Sequence, residues 1–165
     1  MKSKIAQKTR VQCPLPQAAQ RLRAFFAAHG NRDGDVALLP LSIDVTFPAL
    51  DVPMRIARNV IVTITPDHKP ADMVPRYHVA WEPEGAGLFP LFAGELNVES
   101  DDDYDAFWLT LLGTYKPPLG LVGAAFDVVV GSHIAAICAR NFLATIAESI
   151  EAAFVADEAN KVHAR

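Results

Sequence analysis

The chain has little cysteine, no surplus of positive charge, and no catalytic signature of the kind that shows as a short string of residues. Cys13 and Cys138 are its only cysteines. Two are too few for a disulfide framework, and neither stands in a CxxC pair or beside histidines that could complete a zinc site. They read as packing residues, because free cysteine is among the most buried of side chains. Lysine and arginine number 15 against 19 aspartates and glutamates, a net charge of -4. The basic footprint that a phosphate backbone demands is missing, so nucleic acid is not expected as a partner. GxSxG, Walker and complete GxGxxG patterns are absent too, which leaves hydrolase, nucleoside triphosphatase and dinucleotide readings without support. No metal and no cofactor is expected.

The opening MKSKIAQKTRVQ carries basic residues without an apolar core or a small-residue cleavage site. It does not read as a secretion signal, and a cytoplasmic location is expected. Leu119 to Ala139 approaches the length of about 20 apolar residues that crosses a bilayer. Asp127 and His133 fall inside it, and Gly120, Gly123 and Gly131 loosen it. An aspartate at mid-membrane costs about 2.5 to 3.5 kcal/mol on insertion scales, so no integral membrane span is expected.

What is present is a series of strand patterns closed by one long helical pattern. From Lys4 to Gln12, Ile5, Gln7, Thr9 and Val11 alternate with Ala6, Lys8, Arg10 and Gln12, which suits a strand with one wet face. Pro14 and Pro16 end it, and a short amphipathic helix follows to about Ala28, with Leu22, Phe25 and Phe26 on one side. Strand patterns then recur at about Val36–Phe47, Met54–Thr65, Arg76–Glu82, Leu91–Glu99 and Ala106–Tyr115, separated by turn-forming residues as an antiparallel sheet requires. Alternation gives each strand one apolar and one mixed face, so the sheet should be covered on one side only.

The cover is the last helix, expected over about 121 to 156 with 157 to 165 as a frayed tail. Wound at 100° per residue, Phe126, Val130, His133, Ile137 and Asn141 form one stripe. Leu143, Ile146, Ile150 and Phe154 form another, turned away from the first. The second stripe either covers the far end of the sheet or makes a homodimer contact. A length of 165 residues suits a single domain spanning 1 to 165.

Strand, short helix, five strands and a long C-terminal helix is the order of the helix-grip fold. The stretch GTYKPPLGLVGAAFD, the later RNFLATIAESIE and the opening RVQCPLPQAAQRLRAFF resemble the SRPBCC or START-like superfamily of polyketide cyclases, pathogenesis-related allergens and lipid-transfer domains. The resemblance implies an α+β fold in which a curved antiparallel sheet of about six or seven strands wraps the long helix. It also implies an apolar cavity between sheet and helix that holds a hydrophobic small molecule. No catalytic motif is shared across that superfamily, so no catalytic residue is carried over.

Parity and helical spacing nominate the lining of such a cavity. Arg58 shares a face with Met54, Ile56, Val60, Val62 and Ile64. It is either a clamp for a ligand carboxylate or a strand-end residue turned outward by a bulge at Asn59. Tyr77 and Trp81 supply walls with a polar handle, or pack as plain core. Phe92, Leu109 and Tyr115 join them from the apolar faces of the last strands. From the helix come Phe126, Val130, His133 and Ile137, where His133 either meets ligand or is a buried histidine bonded to a backbone carbonyl. The acidic run Asp101-Asp102-Asp103-Tyr104-Asp105 lacks the spacing of a calcium loop and reads as a solvated turn. Ser132 and His133 diverge by 100° on a helix and cannot act as nucleophile and base.

The expected function is binding or carriage of a lipid, polyketide or isoprenoid-like molecule. One alternative is a cyclase or dehydratase-type enzyme with His133 as proton shuttle and Tyr77 as donor. The other is an interaction module with no pocket.

Overall fold

The computed structural model describes residues 3–30, 36–47, 52–67, 74–85, 89–116 and 128–164. Strand β1 (Ser3–Val11) leads through a 3-10 turn (Leu15–Gln17) into helix α1 (Ala18–His29). Proline stands at the start of that turn, where an N–H would have no partner in any case. Ala18, Leu22, Phe25 and Phe26 form the buried side of α1. Five strands follow, β2 (Val36–Phe47), β3 (Val52–Pro66), β4 (Arg76–Pro83), β5 (Leu91–Ser100) and β6 (Phe107–Lys116), and the described chain closes with α2 (Val128–His163).

The strands make one sheet of six, ordered β1-β6-β5-β4-β3-β2 and antiparallel throughout. The first two strands in sequence are thus its opposite edges. Laid flat, such a sheet would hold its edges about 24 Å apart, more than twice the roughly 10 Å width of a helix. Yet α2 packs against both β1 and β2. The sheet is therefore curled into a half-barrel with α2 gripped between its edges, the helix-grip α+β fold.

Both edges are tied to the helix by hydrogen bonds. Asn141 Nδ2 donates to the Ser42 carbonyl on β2. At the other edge the Gln12 backbone N–H donates to Glu151 Oε1 at 2.7 Å. One carbonyl on the β2 edge and one N–H just past the end of β1 are occupied in this way, and Pro40 is tolerated in β2 because β2 has a neighbour on one side only.

At one pair of positions the backbones of β5 and β6 leave no room for a Cβ. Gly94 and Gly113 pair directly across β5 and β6. A Cβ on Gly94 would stand 2.1 Å from the Leu112 carbonyl oxygen, and one on Gly113 would stand 2.5 Å from that of Ala93. The Phe92 ring tip lies 2.8 Å and 2.6 Å from those same two positions, so the ring covers both glycines.

Helix α2 differs from the expected span. A start near 121 lies outside the described residues, and the far end runs past 156 to His163, so the segment expected as a frayed tail is helical to that point. At 36 residues the helix is about 54 Å long, and its last turns are exposed, Val155 at 65% and Val162 at 75%. Leu143, Ile146 and Ile150 are buried within the chain. That stripe belongs to the hydrophobic core, and beyond it Arg21 of α1 bonds Asp157 at 2.6 Å and lies over the Phe154 ring. Among the described residues no helix is long and apolar enough to cross a membrane.

Candidate functional site

The inner face of the sheet is set by parity, and the register aligns its residues into rows. Val62 pairs with Trp81, Trp81 with Phe92 and Phe92 with Tyr115, so three aromatic side chains from β4, β5 and β6 stand side by side facing the helix. Trp81 stacks on Phe92 with centroids 4.1 Å apart and planes at 16°. From α2, Phe142 closes on Trp81 at 5.1 Å. Trp81, Phe92 and Tyr115 are each 3% exposed and Phe142 is fully covered.

Opposite this row the helix face is made of small side chains. Ala135, Cys138 and Ala139 are buried there, and Gly131 comes close enough to Tyr115 that a Cβ would stand 3.4 Å from its hydroxyl. The arrangement follows from the grip. α2 runs close along β1 and β2, which only small residues permit, and the deeper space over the central strands is bridged by large rings.

The remaining nominated residues are dispersed. Tyr77 lies further along β4 in a row with Leu96 and Leu111. It is half-buried, and burial raises its pKa, opposed by the charge of Arg23 on α1. Leu109 lies further again, paired with Val98 and fully covered. Ile137 is half-buried on the flank of α2. Phe126 lies outside the described residues, as does the side chain of Val130.

Two placements correct the expectation. His133 is exposed, because the buried face of α2 runs through Ile134, Ala135, Cys138, Ala139 and Phe142, roughly a third of a turn from the stripe that contained it. Arg58 is exposed as well. No bulge at Asn59 turns it outward, since the β2–β3 register is continuous from Val36↔Thr63 to Phe47↔Val52. Arg58 keeps its inward parity and pairs with the buried Leu41. It sits past Pro83, the last β4 residue paired with β3, and its side chain reaches solvent while Leu41 across the pair is buried.

Phe142 and the small residues Gly131, Ala135 and Cys138 belong to the same candidate site and were not nominated from the sequence. The signal was there, in the i, i+4, i+7, i+11 spacing of Gly131, Ala135, Cys138 and Phe142, but small residues carry little weight in a search for large apolar ones. Both cysteines are free and buried. Burial pushes the Cys138 thiol up to about 12 and raises Cys13 as well.

The polar features lie elsewhere. Arg10 bridges Asp101 and Asp103 of the acidic turn, holding the Asp101 carboxyl below its ordinary value. The outer face of the sheet carries open depressions of about 300 Å³ beside Ile61 and Leu91 and about 550 Å³ beside Lys4, Glu95 and Leu112.

Solved structures similar to this chain are found at low identity. A START superfamily protein from Mycobacterium smegmatis is 12% identical, with 92% of this chain and 96% of that one covered and a TM-score of 0.47. An uncharacterised protein from Bacillus thuringiensis is 12% identical, with 93% and 99% covered and a TM-score of 0.50. A conserved protein from Geobacillus kaustophilus is 15% identical, with 91% and 95% covered and a TM-score of 0.51. No protein-family model matches the chain, and no curated protein matches it in sequence. The likeness is one of fold.

Proposed function

We propose that the protein binds a hydrophobic small molecule of the lipid, polyketide or isoprenoid kind between the inner face of the sheet and α2, the whole chain acting as one domain in the cytoplasm. The observation that carries this reading is the row Trp81–Phe92–Tyr115 set against a helix face of glycine, alanine and cysteine. Rings fill the row without a ligand. On this reading Phe142 or Trp81 rotates away from the small helix residues to admit the ligand, which then makes a minor conformation dominant. The two free buried thiols suit a reducing compartment.

The reading is of a binder or carrier rather than an enzyme. His133, the expected proton shuttle, is exposed, and Tyr77 lies in a different row from the aromatic cluster. Among the described residues no acid, base and nucleophile converge on the row. The test is to extract the purified protein with organic solvent and examine the extract by mass spectrometry. A reproducible hydrophobic molecule is expected. An empty extract together with no uptake of apolar probes would favour a pocketless module instead.

A further inference from the structure

Trp81 is only 3% exposed, yet its indole Nε1–H has no hydrogen-bond partner among the described residues. Buried donors are paired in the great majority of proteins, and one left unmade carries its full desolvation penalty. An indole nitrogen can only donate, so nothing but an acceptor relieves it. Among the described residues the surroundings supply none. One ring face is stacked on Phe92, Phe142 lies against the ring at a tilt, and the cross-strand partner on β3 is Val62. Packing alone is satisfied by phenylalanine at this position, which would fill most of the space with no donor to strand.

We infer that the molecule held against this row carries an acceptor oxygen, a ketone or ester carbonyl above all, that receives the Trp81 Nε1–H. This inference rests on the binding reading above. An oxygen-free hydrocarbon leaves the donor stranded, and an ammonium head brings donors where an acceptor is needed. A site built around a buried polar group discriminates against analogues lacking the matching partner, because the group is then left unpaired. Trp81 is accordingly the residue that selects oxygenated ligands, while Phe92, Tyr115 and Phe142 select apolar bulk.

Fluorenone and fluorene share a ring skeleton and differ by one carbonyl, so they isolate this interaction. Trp108→Phe leaves Trp81 as the single indole of the two in the chain. In that background both probes are titrated by Trp81 fluorescence, and the Nε1–H resonance is followed by NMR. Fluorenone is expected to bind up to about tenfold more tightly, one hydrogen bond's worth, and to move the Nε1–H resonance downfield where fluorene does not. In Trp81→Phe, measured by calorimetry, the two affinities should converge.

Equal affinities with an unmoved resonance, or a preference that survives Trp81→Phe, would overturn the inference and leave the binding reading standing. Should neither probe bind, the extracted molecule decides. An oxygenated hydrophobe supports the inference, an oxygen-free one overturns it alone, and an empty extract overturns both. The resonance measurement needs no change at Trp81, so a variant that fails to fold does not shelter the idea.

Discussion

Gly94→Ala reverses the sign that a glycine-to-alanine change in a strand ordinarily carries. Glycine weakens a strand interior by roughly 0.5 to 1 kcal/mol relative to alanine, through the entropy of the unfolded chain, so the default expectation is a modest gain. Here the added methyl would stand 2.1 Å from the Leu112 carbonyl oxygen, 2.6 Å from the Gly113 Cα and 2.8 Å from the Phe92 ring tip. Only the last of these can rotate away. The other two are backbone atoms of β6, so β5 and β6 must separate where the two glycines pair. Overpacking of this kind costs about 1 to 3 kcal/mol, and a clash with backbone belongs at the upper end. Net of the entropic gain, about 2 kcal/mol of destabilisation is expected. For a chain of this length that lowers the melting temperature by about 4 to 8 °C.

Thermal unfolding followed by circular dichroism measures it, with urea unfolding to confirm that the change lies in the midpoint. Gly131→Ala is the internal contrast. Its methyl would meet the Tyr115 hydroxyl at 3.4 Å, an ordinary contact, and a helical glycine costs about 1 kcal/mol relative to alanine. That variant should melt higher. A Gly94→Ala protein at least as stable as the parent would refute the claim that the close approach of β5 and β6 requires glycine at this pair.

Three further outcomes are expected. His133→Leu should leave the melting temperature almost unchanged, within about 0.5 kcal/mol as for surface positions generally, and should not alter ligand affinity; a clear loss of affinity would return His133 to the site. Asn141→Leu strands the Ser42 carbonyl on the β2 edge and should cost about 1 to 3 kcal/mol, with faster amide exchange in β2 read by mass spectrometry; unchanged exchange would show that the tie does not hold that edge. Cys138, pushed up to about 12 by burial, should resist a thiol reagent near pH 8 until the protein unfolds. Because its folded value lies above its unfolded one, its share of stability is complete below pH 9 and is lost as pH rises toward about 12. Cys138→Ala should flatten the alkaline decline in melting temperature, and rapid labelling of the native protein would contradict the burial.

Period-two alternation made the strands legible in the sequence. It placed Trp81, Phe92 and Tyr115 on one face each, and the turn residues between strands bounded β4, β5 and β6 to within a residue. Alternation does not say which residues stand beside each other, so the row that joins those rings came from the register alone. Arg58 shows the limit from the other side. It shares the parity of the buried Val60 and Val62, but parity reports direction and not cover, and Arg58 is exposed although Leu41 opposite it is buried.

Local alternation and turn chemistry, which depend on neighbours in the chain, were enough to establish that this protein is a sheet of successive hairpins closed by one long helix. The face that α2 turns inward could not follow from them. Between Val128 and Ala139 almost every residue is apolar or small, so several stripes compete on equal hydropathy. The choice falls to whichever stripe lets the helix approach the two curled edges most closely. Close approach favours Ala135, Cys138 and Ala139 over the bulkier stripe through His133 and Ile137, and that is a condition on volume between elements distant in sequence. Only the tertiary structure imposes it, and with it the aromatic row and the unpaired indole of Trp81 take their places beneath the helix.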